Sequence, residues 1–275
     1  MLRDITIGQY YSADSVLHRM DPRTKLLGTL VYLVSLFLFA SLPVYALAAV
    51  FLIFVMILSK VPFSYMVKGL KPVLFFLVFT IMMNMFLVKG EVIWTFWKLQ
   101  VTREGLRQSF YMGARLILLI LGSNLMTLTT TPTRLTNAIE AVMKPLRLIK
   151  VPVHEIAMMM SIALRFIPIL LDETDKIMKA QMARGADFES GNLIKKAKSM
   201  IPVLVPLFIS AFRRANDLAM AMEARCYHGG KGRTQMKPLK YAGRDYIAYV
   251  VLLLYLTGLI LLGKYSAELL KLLGI

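Results

Sequence analysis

A long span without a single charged side chain, from Leu26 to Ser59, constrains this chain more than any other feature. About 20 apolar residues in a helix are needed to cross the hydrocarbon core of a bilayer. The span is therefore too long for one untilted helix and slightly short for two full ones. Pro43 lies where a turn would divide it, which predicts two closely paired helices at about residues 26–40 and 44–59.

Three further uncharged runs have the same character, and they lie at residues 72–88, 116–133 and 246–263. Hydrophobic residues make up 57% of the chain and charged residues only 18%, a composition that a soluble fold does not have. Because a backbone in lipid must satisfy its polar groups internally, each run is expected to form a helix. The sequence predicts an all-α integral membrane protein with about five transmembrane helices.

Basic residues are concentrated between residues 134 and 244, in a chain whose formal net charge is +17. In a soluble protein this charge would indicate a nucleic-acid partner. In a membrane protein, Lys and Arg favour the cytoplasmic side, so we expect no nucleic acid and place this region in the cytoplasm. The predicted organisation is residues 1–133 with four transmembrane helices, residues 134–244 as a cytoplasmic domain, and residues 245–275 as a C-terminal transmembrane helix and tail.

Two long helices are predicted inside this cytoplasmic domain. The first covers about residues 152–186 and is apolar in its first half and charged in its second, and the second covers about residues 201–227. Ala211, Ala215 and Ala219 form a stripe on the second helix. Small residues at this spacing let helices approach closely, so the stripe predicts a packing face.

Arg165 and Pro168 interrupt the apolar half of the first long helix. An arginine at the centre of a membrane helix costs about 2.5–3.5 kcal/mol on insertion scales, and a proline removes a backbone donor and bends the helix. Two interpretations stay open. The pair forms either a structural kink with an arginine that reaches the interface, or a bend between a membrane half and a cytoplasmic half of one helix.

A short motif occurs twice, once at the end of each long helix. Both copies have the pattern Ala-x-x-Ala-Arg-small, as AQMARG over residues 180–185 and AMEARC over residues 221–226. One such arginine is explained by the helix dipole, which favours a cation in the last turn by about 0.3–1 kcal/mol. The dipole does not explain the repetition, which predicts two similar docking surfaces centred on the guanidinium groups of Arg184 and Arg225.

The motifs of enzymes and of many ion-coupled carriers are missing from the sequence. There is no phosphate-binding loop, no His-Glu-x-x-His and no Gly-x-Ser-x-Gly, so we expect neither catalysis nor a cofactor. The single cysteine, Cys226, excludes an internal disulfide, and the three histidines are far apart, so no metal site is expected. The alternative function is an autonomous permease or channel lined by Asn84, Asn124 and Arg165, although the predicted spans hold no carboxylate.

The N-terminal run over residues 15–25 reads SVLHRMDPRTK. Asp21 and Pro22 are of the types expected at the N-cap and the first position of a helix. From the residues alone, the run is interpreted as a basic anchor just before the first membrane segment.

Together these stretches resemble the transmembrane T component of energy-coupling factor transporters, the ATP-driven uptake systems for vitamins and transition metals. The resemblance covers most of the chain. It rests on the N-terminal run, on Thr131-Pro132-Thr133, on ALRFIP at residues 163–168 and on the two arginine motifs. The second motif ends in Cys226 where the family pattern has glycine, a departure that keeps a small residue beside Arg225.

The resemblance implies an all-helical membrane protein with two long cytoplasmic coupling helices that cross each other. It implies that Ala183-Arg184-Gly185 and Ala224-Arg225-Cys226 dock into two ABC-type ATPase subunits, and that those subunits bind the ATP. A membrane-embedded S component would bind the substrate, a vitamin or another micronutrient. The chain itself would be a coupling subunit in a prokaryotic plasma membrane, with lipid, the ATPases and the S component as partners.

Overall fold

The computed structural model describes residues 10–96, 99–188, 192–230, 236 and 238–272, and their side chains except at 94–96, 99–100, 193 and 267–272. The chain divides into two compact units. The first contains the described residues of Gly8–Ala138 and Leu239–Ile275, and the second contains those of Ile139–Pro238. Helices dominate both units, so the predicted all-α membrane fold is confirmed. The division into residues 1–133, 134–244 and 245–275 stays a prediction.

Helices are numbered α1 to α11 in chain order over the described residues. They are α1 Val16–Arg19, α2 Pro22–Leu38, α3 Leu42–Ser59, α4 Phe63–Lys68, α5 Leu74–Leu87, α6 Arg103–Thr129, α7 Pro132–Met143, α8 Val153–Ala183, α9 Leu193–Ser199, α10 Ile201–Glu223 and α11 Gly243–Leu272. Short 3₁₀ segments follow α4 at Lys71–Val73 and α7 at Lys144–Ile149. Two antiparallel strands, β1 Val92–Phe96 and β2 Leu99–Thr102, form a hairpin between α5 and α6 that the sequence interpretation missed.

Five helical stretches of the described chain are long and apolar enough to cross a membrane. They are Leu42–Ser59, Phe63–Leu87, Arg103–Thr129, Val153–Ala183 and Gly243–Ser266. The predicted number is confirmed, and the set includes α8, which was predicted as a long helix of the cytoplasmic domain. With 17 residues, α2 is about 26 Å long, at the short end of the roughly 17–25 residues that span a bilayer.

α6 begins well before the predicted residue 116. Thr102 caps it, and the threonine hydroxyl accepts the Gly105 N–H at 3.1 Å. The arginines in its first half are accommodated by aromatic neighbours: Arg115 donates to the Tyr45 hydroxyl at 2.9 Å, and Arg107 lies over the Tyr111 ring. Arg115 is half-buried and Arg107 is exposed, and both lie inside α6, ahead of the uncharged run that begins at residue 116.

The core of the first unit lies among α2, α3, α6 and α11. The Tyr255 ring stacks on Phe51 with 4.3 Å between ring centroids, and its hydroxyl is 2.8 Å from that of Ser35. Gly122 lets α6 approach α2, since a Cβ at this position would come within 2.7 Å of the Tyr32 ring. This core fixes the positions of four helices in the membrane part.

Candidate functional site

The two long helices α8 and α10 form the framework of the second unit and pack against each other. Glu173 of α8 accepts hydrogen bonds from the Ser210 hydroxyl and from the Arg214 guanidinium, the latter at 3.0 Å. Two turns later, the Gln181 side chain donates to the carbonyl of Pro202 at 3.4 Å. Since later positions of α8 meet earlier positions of α10, the helices run antiparallel.

The alanine stripe of α10 lies largely outside this contact. Ser210 and Arg214 reach α8, and Ala211 beside them is half-buried. Ala215 and Ala219 are exposed. The predicted role of the stripe as a packing face would therefore require a partner chain, and it stays a prediction.

The first arginine motif forms a Schellman cap at the end of α8. Arg184 is the C-cap residue, and Gly185 follows in the left-handed region at φ +89°. The Gly185 N–H donates to the Met182 carbonyl and the Ala186 N–H to the Gln181 carbonyl, both at 3.0 Å. These are the two bonds that define the motif, and they satisfy carbonyls that a helix end otherwise leaves unpaired.

The second motif builds the same cap at the end of α10, with Cys226 in the position of Gly185. Cys226 has φ +55°, a left-handed conformation that glycine adopts more readily. Its N–H donates to the Glu223 carbonyl at 2.8 Å, and the Tyr227 N–H donates to the Met222 carbonyl at 3.0 Å. The departure from the family pattern therefore changes the side chain but keeps the backbone geometry.

A third pair of hydrogen bonds completes the match between the two caps. The Arg184 N–H donates to the Gln181 carbonyl at 3.0 Å, and the Arg225 N–H to the Met222 carbonyl at 3.1 Å. Both arginine side chains are exposed, and neither makes a hydrogen bond or an ion pair with a residue that the structure describes. The cap residues Ala183 and Ala224 are exposed as well. The result is two helix tips with the same backbone geometry, each with an exposed guanidinium that is unpaired within the described part of the chain.

The two tips lie at opposite ends of the antiparallel pair. Gln181, beside the first tip, contacts Pro202 at the start of α10, whereas the second tip follows Glu223 at the end of α10. A rise of 1.5 Å per residue places the tips about 30 Å apart. Just past the second tip, Gly230 lies against His154 in the first turn of α8, where an added Cβ would be 2.5 Å from the imidazole ring.

Pro168 does not end α8, which continues unbroken from Val153 to Ala183. Arg165 and Pro168 are both exposed, and Arg165 makes no ion pair with any described residue. The continuous helix is compatible with a kink and with a bend, so both interpretations stay predictions.

Cys226→Gly is expected to stabilise the second cap, because a side chain in the left-handed region is strained by about 1 kcal/mol. Gly185→Ala is the opposite change, since it adds a side chain at the left-handed position of the first cap. Its Cβ would meet nothing within 4 Å, so backbone strain alone should lower the free energy of unfolding by about 1 kcal/mol. Thermal unfolding in detergent measures both, and shifts of the same sign would contradict the equivalence of the caps.

Glu173→Ala should loosen the contact between α8 and α10 without unfolding the chain. The ion pair is partly exposed, with 40% of the Arg214 side chain and 23% of the Glu173 side chain accessible, so it contributes about 0.5–1 kcal/mol. A double-mutant cycle with Arg214→Ala measures this coupling energy, with the exposed neighbour in Asp172→Ala as the matched control. A coupling energy near zero would show that the pair does not join the helices.

The N-terminal run is more than the predicted basic anchor, because it is a buried junction of the first unit. Lys25 is buried, and its amine donates to the Thr129 carbonyl at the end of α6 at 2.9 Å. Arg23 forms two side-chain hydrogen bonds with Asp21 and stacks over the Tyr241 ring at 4.1 Å. These contacts join the starts of α2 and α11 to the end of α6.

Asp245 completes this junction, and the sequence interpretation missed it. Its side chain is almost fully buried and accepts the N–H groups of Asp21 and Ala242, each at 2.8 Å. Both donors are at helix starts, which the intrahelical ladder leaves unpaired. The sequence did signal a cap here, because Asp245 is an acidic residue in the first turn of α11. Its partner Asp21 is 224 positions away, so no local pattern predicts their contact.

Comparison with known proteins identifies the family of this chain. A family profile described as a cobalt transport protein, CbiQ, matches residues 13–236. Proteins named energy-coupling factor transporter transmembrane protein EcfT are 53% identical in Thermosediminibacter oceani, over 97% of this chain and 99% of the relative, and 57% identical in Clostridium kluyveri, over 90% and 93%. The relative from Bacillus subtilis is 46% identical over 94% and 98%. The chain therefore belongs to the CbiQ and EcfT family, the multi-pass membrane components of energy-coupling factor transporters in prokaryotes.

Proposed function

We propose that this chain couples two ATPase subunits to a membrane-embedded S component during uptake of a vitamin or another micronutrient. The observation that carries the proposal is the pair of matched helix tips. Each tip holds one exposed guanidinium on a capped helix end. Five donors in a rigid fork suit carboxylates or carbonyls of a partner.

The spacing of the tips supports two partners rather than one. A single groove that accepts a helix end engages only the last turns of that helix. Tips about 30 Å apart would therefore enter separate grooves. Because the two caps share one backbone geometry, the grooves are expected to be equivalent, as they are in a symmetric dimer. A dimer of ABC-type ATPase subunits, which would bind the ATP, meets this requirement.

α8 supplies a physical link between the membrane and the first tip. It has 31 residues and is about 46 Å long, whereas about 30 Å is enough to cross the hydrocarbon core. Its apolar half meets the requirements of a membrane span, and its end carries Arg184. We infer that closure of the ATPase dimer moves both tips, and that the helix pair joined by Glu173 transmits this movement to the S component.

The alternative function is an autonomous permease with asparagines along its path. The two asparagines do not favour it, because both side-chain amides donate to backbone carbonyls. The Asn84 amide donates to the Thr80 carbonyl of its own helix at 2.8 Å, and the Asn124 amide donates to the Met66 carbonyl at 3.4 Å. These bonds serve helix structure and helix packing. The substrate itself would be selected by the S component.

Reconstitution in liposomes separates the two functions. The full chain with the ATPases and an S component should give substrate uptake that depends on ATP, and the chain alone should give none. Uptake by the chain alone under an ion gradient would establish the permease and overturn the coupling function.

A further inference from the structure

An apolar cavity of about 250 Å³ lies in the first unit among α1, α2, α3, α6 and α11. Aliphatic and aromatic side chains such as Leu17, Phe54 and Leu125 form most of its wall. Its charged residues, Lys25 and Arg244, lie in the first turns of α2 and α11. Since these two helix starts meet at the junction, the charges are at one end of the cavity.

A second, open cavity of about 490 Å³ shares Arg244 with this charged end, and its wall is mostly polar. Arg19, Arg134 and Arg244 contribute to its wall, and Arg244 also lines the apolar cavity. The short helix α1 stands between the two, since Val16 and Leu17 line the apolar cavity while His18 and Arg19 line the cationic one. An apolar cavity and a cationic cavity therefore lie side by side.

The positive charge of the second cavity is only partly neutralised. Asp14 lines it too, but this carboxylate is held by Arg19 through two hydrogen bonds. Arg134 makes one long bond, to the His18 carbonyl at 3.5 Å, and Arg244 makes no hydrogen bond or ion pair with a described residue. Burial lowers the pKa of His18, which disfavours a positive charge on its ring. Two guanidinium groups are left to bind an anion.

The apolar cavity also contains an unpaired polar group. Thr24 lines it, is 4% exposed, and its hydroxyl has no hydrogen-bond partner in the described structure. A buried hydroxyl without a partner is unfavourable by about 1–3 kcal/mol. An acceptor on a ligand that occupies the cavity would satisfy it.

We propose that the two cavities form one binding site for an anionic phospholipid of the bilayer. An acyl chain would fill the apolar cavity, an ester carbonyl would accept from Thr24, and the phosphate would lie between Arg134 and Arg244. A soluble anion would leave the apolar cavity unused, and a neutral lipid would form no ion pair with the exposed arginines. Basic pockets between membrane helices on the cytoplasmic side bind anionic headgroups, and these arginines lie on the side predicted to be cytoplasmic.

Native mass spectrometry of the full chain in detergent, titrated with phosphatidylglycerol, tests the proposal. We expect one tightly bound phosphatidylglycerol, with phosphatidylcholine bound more weakly. Arg134→Gln with Arg244→Gln should weaken phosphatidylglycerol binding roughly tenfold or more. Gly28→Leu should weaken it too, because Gly28 lines the apolar cavity and a Cβ there meets nothing within 4 Å, so the new side chain can occupy the space of the acyl chain without disturbing the helix.

Lys264→Gln is a single-charge control, since it removes one positive charge far along α11 from the two arginines and should leave lipid binding unchanged. Three results would overturn the proposal. Equal binding of phosphatidylcholine would show that the arginines do not select the lipid. Displacement of phosphatidylglycerol by inorganic phosphate at equal concentration would show a site for the free anion. Wild-type affinity in both variants would show that the lipid binds elsewhere.

Discussion

Arg184→Glu combined with Arg225→Glu should abolish association with the ATPase subunits while the chain still folds and inserts into the membrane. Each change replaces an exposed guanidinium, which pairs with none of the described residues, by a carboxylate on an otherwise intact cap. A partner groove that accepts arginine with carboxylates or carbonyls would then repel the tip, and like charges across an interface are unfavourable by several kcal/mol. Co-purification of the ATPases with the tagged chain measures the loss, and ATP-dependent uptake should fall to background.

The matched control for this variant reverses two charges on the same helices away from the caps. Lys179 on α8 and Arg213 on α10 are exposed, so Lys179→Glu with Arg213→Glu makes the same change in net charge. This control should retain most of the association. Equal loss in both double variants would indicate a general electrostatic effect rather than docking of two tips. Each single variant should retain one contact and give intermediate association.

Asp245→Ala should be the most destabilising single substitution in the buried junction. Removing the carboxylate leaves the buried N–H of Asp21 and the part-buried N–H of Ala242 without an acceptor, and a buried unpaired group is unfavourable by about 1–3 kcal/mol. The negative charge also stabilises two helix starts through their dipoles. We expect the free energy of unfolding to fall by about 3 kcal/mol, measured as a lower thermal midpoint in detergent.

Two comparisons isolate the cause of this effect. Asp217 is an exposed carboxylate on α10, so Asp217→Ala should change stability by less than about 0.5 kcal/mol. Asp245→Asn keeps one acceptor oxygen, facing Asp21 or Ala242, but turns a donor amide toward the other N–H. Its effect should lie between those of the alanine variant and the wild type. A thermal midpoint for Asp245→Ala equal to that of the wild type would contradict the role assigned to the junction.

The hydropathy of the sequence was sufficient to predict the helical membrane fold, because uncharged runs in lipid have few alternatives to a helix. It placed the start of α6 too late, since Arg107 and Arg115 lie within the helix, and the rings of Phe37 and Tyr45 that contact Arg115 are distant in sequence. It also could not reveal the hairpin between α5 and α6. Strand pairing depends on the positions of the two flanking helices as much as on the hairpin residues themselves.

The sequence was sufficient to predict which residue types form the candidate site and that they lie at the ends of two helices. The repetition of Ala-Arg-small identified both tips, and the antiparallel contact that separates them appears only in the packing of Glu173 with Arg214. The left-handed conformation of Cys226 was hidden by its side chain, since a small residue there indicated size rather than backbone geometry. Asp245 was missed because its partner Asp21 is distant in sequence, so the junction depends on tertiary structure.

The most direct test of the coupling function uses the single cysteine of the chain. Cys226 is exposed at the second tip, so a thiol-reactive photo-crosslinker attached there in the transporter complex from native membranes reports what this tip contacts. The predicted result is a covalent adduct with an ATPase subunit, lost when Arg225→Glu is introduced. Adducts confined to lipid or to the S component, with none to an ATPase, would contradict the docking of this tip and with it the proposed coupling.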